Sequence, residues 1–102
     1  MKRIINLEDK ILTEKPEIHV GDKVYVVDDR KRTVDEMMKV VDKENGEKKA
    51  IELTLGKEAA REIEAMELSV SGYNNLIIGI MAAVMDLSFE EAEERFRKAA
   101  KS

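Results

Sequence analysis

The sequence predicts an α+β domain: an N-terminal β-hairpin followed by about four α-helices packed on it. Three observations carry this. Ile18 and Val20, then Val24 and Val26, alternate with other residues on either side of Gly21-Asp22, which is hairpin patterning. Thr33-Val34-Asp35-Glu36 and Ser88-Phe89-Glu90-Glu91 each read as a capping box that opens an amphipathic run. The stretch from Tyr73 to Met85 is apolar on nearly every face, the mark of a helix buried on all sides.

In chain order, residues 1–16 form a polar arm ending at Pro16, the only proline. A short strand at Arg3–Leu7 is expected within it, and residues 17–102 form one domain. In the hairpin, a two-residue loop would put Ile18 and Val24 on opposite faces. A three-residue loop, Gly21–Lys23, pairs Val20 with Val24 and Ile18 with Val26 and gathers all four apolar residues on one face. The three-residue loop is therefore expected. Val34, Met37, Met38 and Val41 then fall at i, i+3, i+4 and i+7, predicting a helix from about Val34 to Glu44 with Thr33 as its cap. Asn45-Gly46 ends it through a left-handed residue. Residues 47–68 read as broken helix, with a short turn near Lys49–Leu53, Gly56, and a firm helix near Lys57–Met66. Ser69-Val70-Ser71-Gly72 is a loop with two potential caps before the apolar helix. Phe89, Ala92, Phe96 and Ala99 stripe a last helix, about Phe89 to Ala100, whose early glutamates and late Arg97, Lys98 and Lys101 suit its dipole.

Composition narrows the chemistry. The chain has 102 residues, 43% apolar and 39% charged, with a net charge of −4, enough apolar content for one core. It has no cysteine and one histidine. Disulfides, thiolate nucleophiles, cysteine-ligated zinc and multi-histidine metal sites are thereby excluded. Charge is unevenly placed: Glu62 to Glu94 carries eight acidic residues and neither Lys nor Arg. Nucleic-acid binding needs cations to replace condensed counterions, so no nucleic-acid partner is expected. The N-terminus lacks the apolar run of a secretory signal. The longest apolar run, Leu76 to Met85, is about half of what spans a bilayer. A cytoplasmic protein with no membrane contact is expected.

Candidate reactive groups are sparse. His19 has parity opposite to the apolar strand residues and should face solvent, and no nucleophile motif surrounds it. Asp28 and Asp29, with Asp22, lack the ligand alternation of a calcium loop. Glu90, Glu91, Glu93 and Glu94 lack the histidines of helical carboxylate metal sites. Residues 59–77 have helix-turn-helix-like spacing, yet the would-be recognition helix holds no base-reading side chain. Neither metal nor cofactor nor catalysis is expected. What remains is the methionines, which suit adaptable binding surfaces, and the over-apolar helix. Met37, Met38, Leu76, Ile77, Ile80, Met81, Val84 and Met85 are the residues expected to contact a partner, with core and interface members not separable by sequence.

Taken together, the hairpin Ile-His-Val-Gly-Asp-Lys-Val-Tyr-Val-Val-Asp-Asp, the capped helix Thr-Val-Asp-Glu-Met-Met, the segment Leu-Thr-Leu-Gly-Lys-Glu-Ala-Ala-Arg-Glu-Ile, the apolar helix and the final Ser-Phe-Glu-Glu-Ala-Glu-Glu-Arg-Phe form a layout. It resembles the small tail assembly chaperones of long-tailed bacteriophages and prophages of Gram-positive bacteria, over roughly residues 17–98. The resemblance implies a role in virion morphogenesis in the bacterial host cell. Such proteins coat the apolar tape measure protein, help recruit tail tube subunits around it, and tend to self-associate. Coating an apolar helical partner would be helix-in-groove recognition. The alternatives are a homo-oligomeric interaction or scaffold protein and, further off, a DNA-binding regulator.

Overall fold

The computed structural model describes residues 2–11 and 14–101. An antiparallel hairpin, β1 (Glu17–Val20) and β2 (Lys23–Val26), precedes five helices. Its register pairs Val20 with Lys23 and Ile18 with Tyr25, so the loop has two residues and not the expected three. Gly21, at φ +62°, takes the first loop position, where a type II′ turn requires glycine. One consequence is that Val24 and Val26 do not join Ile18 and Val20; they stand 51% and 52% exposed. Tyr25 and Val27 take the inner face instead. A tyrosine and a valine remove more apolar surface from water than two valines do. The Tyr25 hydroxyl also donates to Glu62 Oε1 at 2.9 Å, which satisfies its polar end. Burial, and then Glu62 beside it, push this phenol's pKa up.

The first helix after the hairpin, α2 (Lys31–Val40), starts earlier than expected, with Arg30 at the cap position. Thr33 is therefore not a cap. It is buried, and its hydroxyl donates to Asp28 Oδ2 at 3.0 Å. Asp28 also accepts from Arg30 Nε and Nη2, at 2.9 and 2.8 Å, and from the Arg30 backbone N–H at 3.2 Å. The Arg30 guanidinium, against the cost of partial burial, holds this carboxyl well below the usual carboxylate range. A carboxyl whose folded pKa lies below its unfolded one stabilises the fold above the ordinary range and loses that contribution as pH falls through the folded value. Asp28→Ala should therefore flatten the acid limb of stability. Its thermal midpoint should fall less between pH 6 and pH 2 than the wild type's, and an equal fall would contradict the assignment.

Helix α2 ends at Val40, with Val41 still right-handed at the cap position, and not at about Glu44 as expected. Asn45 is left-handed at φ 60°, but it stands at the start of the next helix and does not close α2. It leads into α3 (Gly46–Leu55), a full ten-residue helix and not the single turn expected there. This accounts for five helices in place of about four. Buried Ala50 and Ile51 give α3 its inner face, and the buried Thr54 hydroxyl is satisfied by the Ala50 carbonyl at 2.8 Å. Gly56, at φ +97°, separates α3 from α4 (Lys57–Ala65). No other residue type adopts that φ without strain.

The apolar helix, α5 (Val70–Met85), is capped by Ser69, whose Oγ accepts from the Gly72 N–H at 3.0 Å. Asp86, left-handed at φ 54°, closes it. The chain then bends by 113° into the last helix, α6 (Phe89–Lys101). Its capping box is reciprocal: Glu91 N–H donates to Ser88 Oγ at 3.1 Å, and Ser88 N–H to Glu91 Oε1 at 3.0 Å. Ala92 is fully buried, whereas the side chain of Ala99 lies outside the described residues. The core joins Tyr25, Met37, Ile51, Ile63, Leu76, Ile77 and Ile80, and α5 packs against β1, α3 and α6.

The arm carries no strand at Arg3–Leu7. It is irregular up to Leu7 and then forms one helical turn, α1 (Glu8–Ile11), while residues 1, 12 and 13 lie outside the description. The radius of gyration is 15.5 Å over a body of 60 × 33 × 23 Å, against about 13 Å for a compact chain of this length. No single helix among the described residues is long and apolar enough to cross a membrane.

Candidate functional site

Where α2, the turn after it, α5 and α6 converge, they leave an open groove of about 500 Å³. Its apolar lining is Met38 and Val41 from the end of α2, Ile77 and Met81 from α5, and Phe96 from α6. Ile77 is fully buried at the floor, and Val41, Met81 and Phe96 are half-buried walls. Met38 stands 43% exposed at the mouth. Asp42, Lys43 and Glu47 supply a polar rim. The opening follows from the chain path. The bend after Met85 carries α6 across α5, so Phe96 faces α2 over a gap that neither helix fills.

The groove brings together three of the eight residues expected to touch a partner: Met38, Ile77 and Met81. Met37, Leu76 and Ile80 are buried in the core. Leu76 also borders a smaller cleft of about 300 Å³ with Ile18, Val20 and Phe89. Val84 is half-buried against the core, and Met85 is half-buried at the end of α5. The adjacent pair Met37-Met38 divides because neighbours on a helix point about 100° apart. Val41 and Phe96 were not among the expected contacts. Both sit on apolar stripes readable from sequence, but their meeting across α5 depends on the tertiary path.

Other candidate groups fall elsewhere. His19 is exposed on the outer face of the hairpin, 4.0 Å from Glu17. Asp28 is engaged by Arg30 and Thr33. Glu93 and Glu94 pair with Arg97 and Lys98 along α6, at 3.5 and 3.4 Å. Among the described residues no three acidic or histidine side chains are placed to hold a metal ion. The helix-turn-helix-like segment runs into α5, whose Leu76, Ile77, Ile78 and Ile80 are buried. Comparison of the chain with protein-family models, with curated proteins and with solved structures finds no match.

Proposed function

We propose that the protein is a non-enzymatic tail assembly chaperone that grips an apolar helical segment of the tape measure protein and helps place tail tube subunits around it. The observation that carries this reading is the groove, with Met38 at its mouth and Met81 and Phe96 as its walls. Methionine's flexible, polarisable side chain adapts to varied apolar contacts. Apolar floor and walls under a polar rim are what an amphipathic helix requires of a receptor. The resemblance of residues 17–98 to small tail assembly chaperones supports the partner's identity. A second reading, a homo-oligomeric interaction protein, draws support from apolar side chains exposed away from the groove, among them Ile4, Ile5, Val24 and Val26.

Co-expression with a tape measure fragment tests the first reading. The wild type should keep the fragment soluble. Met38→Asp changes a surface position, where substitutions shift stability by about 0.5 kcal/mol or less. It should lose the solubilising effect while keeping the wild-type circular dichroism and thermal midpoint. Equal aggregation of the fragment with and without the wild-type protein would refute the reading.

A further inference from the structure

Asn45-Gly46 lies in the turn between α2 and α3, on the lining of the groove. Of the four asparagines it is the one that a glycine follows; Asn6, Asn74 and Asn75 precede Leu7, Asn75 and Leu76. A glycine has no side chain to shield its own nitrogen, and it leaves the backbone free to rotate. That nitrogen attacks the Cγ of the preceding asparagine and closes a five-membered succinimide, while the side-chain nitrogen leaves as ammonia. Water then opens the ring at either carbonyl and gives aspartate or iso-aspartate. In iso-aspartate the main chain runs through the side-chain carbon and is longer by a methylene.

The fold presents one partner of this reaction and withholds the other. The Asn45 side chain is exposed and makes no capping hydrogen bond. The peptide unit that would react with it is held at both ends. Gly46 N–H donates to the Lys43 carbonyl at 2.8 Å, and the Asn45 carbonyl accepts from Lys49 N–H at 3.3 Å. Gly46 is itself buried. Attack requires the Gly46 nitrogen to lose its proton and this peptide to rotate, so both bonds must open first. Such local opening occurs without unfolding of the whole chain.

The two products differ in whether the turn closes again. Aspartate adopts φ 60° as readily as asparagine does, and its charge suits the start of α3. Iso-aspartate adds its methylene just before Gly46, where there is no slack. A single carbon built on Gly46 would lie 1.7 Å from the Val40 carbonyl oxygen. We infer that Asn45-Gly46 is a site of spontaneous deamidation that the closed α2–α3 turn protects, and that conversion to iso-aspartate prevents the turn from closing. Asn45, Gly46 and Glu47 line the groove, so the modification disrupts that wall. The inference does not depend on what the groove binds.

The full-length protein, held at mildly alkaline pH in buffer and in concentrated urea, tests this by peptide mapping with mass spectrometry. In urea, position 45 should convert ahead of positions 6, 74 and 75. In buffer, its conversion should be slower by roughly tenfold or more, the factor set by the cost of opening the turn. The purified iso-aspartate form should unfold at a lower urea concentration than the wild type, and Asn45→Asp at the same concentration as the wild type. Equal rates at position 45 in buffer and in urea would overturn the inference, as would earlier conversion of another asparagine in urea. So would an iso-aspartate form with the wild-type midpoint, or an Asn45→Asp midpoint lowered as far as that of the iso-aspartate form, which would assign the loss to charge.

Discussion

Gly46→Ala should destabilise the protein by about 3 kcal/mol or more, the upper range for forcing atoms into packed space. A Cβ at this position would lie 1.7 Å from the Val40 carbonyl oxygen and 2.8 Å from its carbon. Both obstacles are main chain, so no rotamer change relieves them. The turn joining α2 to α3 would have to open, and with it the packing of Met37 and Ile51, two fully buried members of the core. Domains of this kind have only about 5–15 kcal/mol of total stability, so a large drop in the urea midpoint is expected. An unchanged midpoint would mean that the two helices do not approach as closely as described.

Ile80→Ala should cost roughly 2–5 kcal/mol, the range for truncating a buried aliphatic side chain. Met38→Ala should change stability by about 0.5 kcal/mol or less. The contrast matters because both residues belong to the apolar set singled out in the sequence. Ile80 is 1% exposed in the centre of the core, whereas Met38 borders open space. Chemical denaturation of the two variants side by side separates the residues that hold the fold from those that border the open groove. Similar losses for both would place Met38 in the core and close the groove.

What the sequence revealed followed locality. The break at Gly56, the Ser88–Glu91 box and the apolar α5 were legible because each is set by residues close together in the chain, whereas Asn45-Gly46 reads as the end of α2 and instead leads into α3. Thr33 misled because its capping pattern is equally compatible with the third helical position once Asp28 supplies a distant acceptor. The hairpin register misled because four alternating aliphatic residues outnumber one tyrosine in the pattern. In the fold, Tyr25 wins by reaching both the core and Glu62. The groove was half legible. Met38 and Met81 stand out as methionines in a chain with few aromatics, but Val41 and Phe96 join them only through the bend between α5 and α6, which no local pattern encodes.

The groove's role is tested most directly by photo-cross-linking from its mouth. A photoreactive phenylalanine analogue in place of Met38, in full-length protein co-expressed with the tape measure protein, should form a covalent adduct with that polypeptide. The same analogue in place of Glu58, exposed on α4 away from the groove, should not. Adducts of equal yield from both positions, or none from position 38 while the tape measure protein still co-purifies, would contradict the account.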